Sequence, residues 1–501
     1  MEELFKKILT ARIYDVAKRT PLEIAENLSE RLNNTVLLKR EDLQPSFSFK
    51  IRGSYNKISR LTDKEKEAGI ICASAGNHAQ GVALSARQLG LDALIVMPQT
   101  TPRIKIQAVE KLGGQVVLHG DSYSEAAVHC KSLIEKTGRT YIHPFDDIDV
   151  IAGQGTIGFE LMQQCPELDY VFVPIGGGGL ISGVACYLKT IRPETQIIGV
   201  EPMNSDAMTR SILDKNRVIL KKVGIFADGT AVKQVGELTY QYAQKYVDDY
   251  VTVSTDEICS AIKSIYEDTR SIVEPAGALA VAGLKKFVYS KGVTGKKMVA
   301  DNSGANMNFT RLQFVAERTQ TGDKSEALYA VSIPETPGAL RDFCEKVVKD
   351  NNITEFNYRM AEPKIARLFV GVSIAEPKER QEFLDRIIQH GFEGFDLTNN
   401  EVAKLHVRHM VGGKSPRIAN EVLFRFWFPE RKGALTDFLN SMTEHWNISL
   451  FHYRMHGGDY GRVLIGLEIA KEEEGDFKRF LERRSYAHID EKDNPAYRLF
   501  L

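Results

Sequence analysis

Three short stretches hold residues that could act on one ligand. Lys50 sits in Ser48-Phe49-Lys50-Ile51-Arg52-Gly53, Ser74-Ala75-Gly76-Asn77-His78 forms a polar loop, and Gly176-Gly177-Gly178-Gly179 leads into Leu180. An ε-amine attacks an aldehyde only when unprotonated, and the apolar neighbours Phe47, Phe49 and Ile51 favour that form at Lys50. Four side-chain-free residues between an apolar strand-like run and a helical pattern let consecutive amides converge on a phosphate. A lysine for an imine and glycine amides for a phosphate suit an aldehyde cofactor that carries a phosphate. Taken singly, a solvated lysine and a flexible turn are the ordinary readings; the argument lies in the three segments together.

Ser74, Ala75, Gly76 and Asn77 stand where the apolar run 70–73 meets the next helical pattern. Their amides and the Ser74 hydroxyl suit a substrate carboxylate, and the Asn77 side chain suits a phenolic oxygen on the cofactor ring. A plain helix cap by Ser74 or Asn77 is the competing reading. His78 reads as a capping or packing residue rather than a base. Ser303, in Ser303-Gly304-Ala305-Asn306-Met307-Asn308, follows the apolar run 298–300. A hydroxyl facing a pyridine nitrogen leaves it largely unprotonated, a weaker electron sink suited to rapid elimination.

The elements that must position these residues alternate. Strand-like runs at 70–73, 93–97, 116–118, 170–173, 197–200 and 298–300 are separated by helical patterns such as 81–89 and 181–191, the latter stopped by Pro193. That order predicts doubly wound parallel α/β sheets with ligands at the carboxyl ends of strands. The chain of 501 residues is too long for one core, and 65 basic against 66 acidic residues give no electrostatic footprint for nucleic acid or an anionic membrane. Residues 1–20 mix acids, bases and apolar residues at helical spacing, which predicts a surface helix on a cytoplasmic protein. Six scattered cysteines (Cys72, Cys130, Cys165, Cys186, Cys259 and Cys344) read as reduced thiols rather than disulfides or a zinc site.

Past the polar stretch 318–324 the texture becomes strand–helix–strand and repeats at an offset of 95 residues. The offset matches Pro334-Glu335 with Pro429-Glu430, Gly338-Ala339-Leu340 with Gly433-Ala434-Leu435, Asp342-Phe343 with Asp437-Phe438, and Asn352-Ile353 with Asn447-Ile448. It also matches Phe356, Tyr358, Arg359 and Met360 with Phe451, Tyr453, Arg454 and Met455. Two copies are too few for a solenoid and predict two related α+β modules packed together.

The segments around Lys50, Ser74, Gly176 and Ser303, with Glu274-Pro275-Ala276-Gly277-Ala278, resemble the serine/threonine dehydratases over roughly residues 5–320. These are pyridoxal-phosphate enzymes of fold type II, the tryptophan-synthase-β-like class. The duplicated tail resembles the paired ACT-like regulatory modules of biosynthetic threonine deaminases. The resemblance implies a catalytic domain over 1–322 and ACT-like modules over 325–411 and 420–501. It implies that Lys50 forms the imine with pyridoxal 5'-phosphate and then takes the Cα proton. Asn77 matches the ring-oxygen ligand, Gly176, Gly177, Gly178, Gly179 and Leu180 the phosphate cradle, and Ser303 the partner of the pyridine nitrogen. Ser74, Ala75, Gly76 and Asn77 match the substrate-carboxylate loop.

The implied activity is dehydration and deamination of L-threonine to 2-oxobutanoate and ammonia, with L-serine a second substrate. This opens isoleucine synthesis, with isoleucine as inhibitor, valine as activator and a homotetramer as the assembly. Several relatives bind a cation at positions matching Glu201, Ser205 and Ala207; Ala207 offers only a carbonyl, so no metal is assigned. A serine racemase, a degradative dehydratase, a sulfhydrylase or threonine synthase, and a catalytically dead amino-acid sensor remain the alternatives. Arg359 and Arg454 read equally as effector contacts or as structural ion-pair partners.

Overall fold

The computed structural model describes residues 2–322, 325–334, 339–349, 351, 353–359, 364–409, 420–429, 446–454, 460–483 and 486–500. The chain forms two compact units, Met1–Val315 and Ala316–Leu501. No described helix is long and apolar enough to cross a membrane.

The first unit holds two sheets. One has six strands in the order Leu22–Ile24, Thr35–Lys39, Lys297–Asp301, Tyr170–Pro174, Gln196–Pro202, Asp249–Val253. All neighbours in it are parallel except the Leu22–Ile24 edge. The other has four parallel strands, Gln115–Leu118, Ala93–Met97, Ile70–Ala73 and Thr140–Tyr141. Every strand-like run read from the sequence is a strand here; runs buried on both faces, such as Ile70–Ala73, are continuously apolar as a parallel sheet requires, while Gln115–Leu118 is a partly exposed edge strand. Thr35–Lys39, next to the edge of the larger sheet, lay outside that reading although Val36, Leu37 and Leu38 carry the same signal.

Residues 1–20 depart from the expected surface helix. Only Glu2–Leu9 is helical, and Leu4 and Ile8 are buried in the core formed with the helices Ile148–Gln164 and Gly179–Ile191. The helical spacing was real, but its apolar face covers the core, at about 2 kcal/mol for each large aliphatic side chain. Cys72, Cys130 and Cys186 are buried free thiols, Cys259 is buried and Cys165 is half-buried; the Cys344 side chain lies outside the described residues.

In the second unit the 95-residue repeat is a structural repeat. Strands Glu326–Pro334 and Ile365–Ser373 have counterparts at Glu421–Pro429 and Tyr460–Glu468, each pair antiparallel. The sheet orders correspond strand for strand, and a bulge at Ile353/Glu355 recurs at Ile448/Leu450. Alternation explains the packing. Ala327, Tyr329 and Val331 face the first module's own core, while Leu328 and Ala330 face a second cluster shared with Leu423, Leu464 and Phe500 of the second module. Among the matched pairs, Glu335, Gly338, Asn352, Met360, Glu430, 433–435, 437–438 and Met455 lie outside the described residues. Of Arg359 and Arg454 only the backbone is described, and each pairs in register with another arginine, Arg367 and Arg462.

Candidate active site

Lys50 is the first residue of the helix Lys50–Ser59. That helix crosses Ile148–Gln164 at a glycine pair: a Cβ on Gly153 would stand 2.5 Å from the Arg52 carbonyl oxygen and 2.7 Å from Gly53 Cα. Below it lies a fully buried ion cluster. Arg52 donates to both oxygens of Glu41, at 2.7 Å each, and to both of Glu160, at 2.6 and 3.0 Å, while Lys39 also reaches Glu160. Breaking such a cluster strands buried charge, so it fixes where the helix begins.

Lys50 Nζ donates to the Pro144 carbonyl over 3.0 Å and lies 5.1 Å from the Phe49 ring centre. Burial lowers its pKa to about 8, with the Glu274 carboxylate opposing. The sequence attributed this to Phe47, Phe49 and Ile51. Only Phe49 fits, since Phe47 is 57% exposed and Ile51 points into a separate core cluster. Phe47 adopts φ 54°, the left-handed region disfavoured for a bulky residue, as the strap 46–49 turns toward the lysine.

The strap is pinned to the Ser303 loop. Phe49 N–H donates to the Ser303 carbonyl (3.1 Å), Ala305 N–H to the Phe47 carbonyl (2.8 Å), and Ser48 and Gly304 form a bridge. Ser303 itself is buried, its hydroxyl 3.4 Å from the Ala276 carbonyl.

The other two segments each open a helix. Ile70–Ala73 runs into Asn77–Leu89, whose N-cap is Gly76 without a side-chain cap. Neither capping reading holds: the Ser74 hydroxyl accepts from Gly76 N–H at 3.3 Å, and the Asn77 side chain turns to Glu274 and Asn306. A Cβ built on Gly76 meets nothing within 4 Å, so open space faces this loop. His78 is buried, with Nε2–H donating to the Ile142 carbonyl at 2.9 Å, as a packing residue should.

Gly176, Gly177 and Gly178 lead into Gly179–Ile191, with Gly178 at φ 95° and Leu180 buried in the first turn. A Cβ on Gly177 would stand 2.2 Å from the Phe145 ring, and one on Gly176 2.9 Å from Thr230 Cα. Only glycine lets this backbone nest there. Since Pro144 holds Lys50 and Phe145 abuts Gly177 and Gly179, adjacent residues tie the lysine to the glycine loop.

The sequence reading assigned no role to Glu274, Asn306, Asp228, Lys105 or Arg311. Asp228 pairs with Lys105 at 2.5 Å and with Arg311 at 3.4 Å; burial raises its pKa, but these cations more than reverse that. Burial and the Asp228 charge push Glu274 up to about 7. Glu201 is engaged as a cap, accepting from the amides of Met208 (2.9 Å) and Thr209 (2.7 Å) and from the Thr209 hydroxyl (2.6 Å). Among the described residues no group of three or more His, Cys, Asp or Glu is arranged to hold a metal ion.

The donor set fits pyridoxal phosphate. It offers a half-buried amine of lowered basicity, two helix N-termini with free first-turn amides, and a glycine cradle that a single Cβ would fill. The family described as "Pyridoxal-phosphate dependent enzyme" matches residues 13–304, and "C-terminal regulatory domain of Threonine dehydratase" matches 317–407 and 412–501. The chain is 52% identical to the L-threonine dehydratase biosynthetic IlvA of Burkholderia multivorans, over 100% of this chain and 99% of that protein. It belongs to the pyridoxal-phosphate-dependent threonine dehydratases.

Other members show the same relation. The Escherichia coli (strain K12) L-threonine dehydratase biosynthetic IlvA is 47% identical over 100% of this chain and 97% of its own length. Among solved structures, the processed form of threonine deaminase isoform 2 from Solanum lycopersicum superposes with TM-score 0.62 at 50% identity, covering 63% of this chain and 93% of that one. Maize serine racemase gives 0.59 at 31% identity, over 64% and 98%. These threonine dehydratase features, a fold type II catalytic domain and small antiparallel regulatory sheets, agree with the class read from the sequence.

Proposed function

We propose that this dehydratase converts L-threonine to 2-oxobutanoate and ammonia, and L-serine to pyruvate and ammonia, at the site around Lys50. The observation that carries the reading is the convergence on one half-buried amine of the strap–Ser303 rung, the Pro144–Phe145 link to the glycine loop, and the Asn77 helix N-terminus.

Bound there, pyridoxal phosphate supplies an aldehyde for the substrate amine and a conjugated ring that accepts the electrons freed at Cα. The amides of Gly176 to Leu180, at the positive end of a 13-residue helix, would hold its phosphate. Asn77 would donate to its phenolic oxygen, and Ser303 would face its ring nitrogen without supplying the countercharge an aspartate would. Ser74 and the amides of Ala75, Gly76 and Asn77 hold the substrate carboxylate, which orients the Cα–H bond. Lys50 takes the Cα proton: at a pKa of about 8 a substantial fraction of the amine is neutral near physiological pH. The β-hydroxyl leaves as water, and later hydrolysis of the carbon–nitrogen bond consumes one water, so the net products are the oxo acid and ammonia.

The enzyme then opens isoleucine synthesis in the cytoplasm. The catalytic domain spans 1–322 and the ACT-like modules 325–411 and 420–501. Isoleucine binding to the modules lowers activity, valine opposes it, and the enzyme works as a homotetramer. The test is 2-oxobutanoate formation from L-threonine by the cofactor-loaded enzyme. Turnover suppressed by isoleucine and abolished in Lys50→Ala is the expected result; absent threonine turnover would overturn the reading.

A further inference from the structure

Asn77 is held from both sides. Its side-chain NH2 donates to Glu274 Oε1, and its carbonyl oxygen accepts from Asn306 Nδ2 at 2.7 Å. Asn306 Nδ2 also donates to the Ser46 carbonyl at 2.8 Å. A main-chain carbonyl can only accept, so the Asn306 NH2 faces Ser46, and its second N–H meets the Asn77 oxygen. The amide of Asn77 is thereby fixed by its partners, with NH2 toward the carboxylate. One of its two N–H bonds is spent on Glu274, and one is left.

Glu274 is fixed in turn. Its backbone N–H donates to the Gly304 carbonyl at 3.1 Å, and a Cβ on Gly304 would stand 2.4 Å from Glu274 Oε1. The relay therefore runs from the lysine strap at Ser46, through Asn306 and Asn77, to Glu274 and back to the Ser303 loop. A chain of hydrogen bonds with both ends anchored admits one orientation of the central amide.

We infer that Glu274 and Asn306 are positioning residues that hold the Asn77 amide in one orientation, leaving its unspent N–H for the phenolic oxygen of the cofactor. This deepens the function proposed above and rests on it for the identity of the ring oxygen. Asn306 acts through Asn77; Glu274 acts through Asn77 and, by its charge, also on Lys50. Groups that orient a ligand in this way typically alter activity by about 10- to 100-fold when removed.

The experiment uses full-length enzyme loaded with pyridoxal phosphate, comparing Glu274→Leu, Glu274→Gln, Asn306→Leu and Asn77→Ala, with Asn306→Leu also built into the Asn77→Ala background. The readouts are the imine absorption spectrum without substrate, and kcat and KM for threonine. Glu274→Leu and Asn306→Leu should shift the imine band as Asn77→Ala does and lower kcat about 10-fold or more, with KM for threonine little changed. Glu274→Gln, which still offers an acceptor, should restore most of the wild-type spectrum. Added to Asn77→Ala, Asn306→Leu should change neither readout further.

An unchanged imine band in Glu274→Leu and Asn306→Leu, or an equal further loss in the Asn77→Ala background, would overturn the inference. Wild-type enzyme that forms the band yet leaves threonine intact would sink the proposed reaction and leave this comparison readable. Wild-type enzyme without the band would overturn both.

Discussion

The backbone N–H of Phe49 donates to the carbonyl of Ser303 over 3.1 Å, joining the residue before the reactive lysine to the residue assigned to the cofactor's ring nitrogen. These positions lie far apart in the chain, and neither belongs to the strands nearby. The rung makes the spacing between amine and hydroxyl a property of the backbone rather than of two mobile side chains.

Gly304 should be intolerant of any side chain for this reason. A Cβ there would crowd Glu274 Oε1 at 2.4 Å, Ser48 Cβ at 3.1 Å and the Phe47 carbonyl oxygen at 3.2 Å. Displacing the strap by a fraction of an ångström moves Lys50, so Gly304→Ala should lower threonine turnover on the order of 100-fold. Steady-state kinetics on the folded variant check this; turnover within a factor of three of wild type would contradict it.

Gly177→Ala should weaken cofactor binding, because its methyl group would collide with the Phe145 ring at 2.2 Å. Titration of apoenzyme with pyridoxal phosphate should give a dissociation constant raised at least ~10-fold, about 1.4 kcal/mol. Removing the ring in Gly177→Ala/Phe145→Ala should recover part of that loss, since the two changes meet at one contact.

Arg52 should be among the costliest polar residues to replace. Arg52→Met leaves Glu41 and Glu160 facing each other without their shared cation, with Lys39 as the remaining fully buried cation on Glu160. The expected destabilisation is about 3–5 kcal/mol, measured as a shift in denaturant midpoint. Arg52→Lys should rescue little, because a point charge cannot make the four fork contacts.

His78 should make the catalytic unit acid-sensitive. Burial, then the Lys50 charge, lowers its pKa to about 3 from 6.5. The unfolded chain binds the proton below about 6.5 while the folded chain refuses it until about 3, so folding stability falls as pH drops through that window. The slope is about 1.4 kcal/mol per pH unit, or ~2 kcal/mol between pH 6.5 and 5. A His78→Phe variant should lose that part of the acid dependence in thermal or denaturant melts. Parallel pH profiles for the two proteins would refute the assignment.

Much of this was legible in the sequence. Apolar runs marked the strands, most clearly where burial on both faces removes polar residues, and the glycine run marked a backbone that passes too close to Phe145 for any side chain. The environment of Lys50 was misread, since Phe47 and Ile51 are neighbours in sequence but point elsewhere. The roles of Glu274 and Asn306 left no local trace: their bonds to Asn77 span 197 and 229 residues. Residues at such separations are brought together by the tertiary fold, and no window along the chain registers it.

The apolar cluster shared by the two modules bears on how such a tail can be inherited. Leu328, Phe369 and Leu397 of one copy close against Leu423, Leu464 and Phe500 of the other, so each copy is a lid for its twin. A shortened descendant that kept one copy would display a bare sheet face and tend to aggregate or borrow a face from another chain. Gene truncation is thus expected to remove the pair in a single event. What one ancestral duplication joined is afterwards free to diverge in sequence but not to separate.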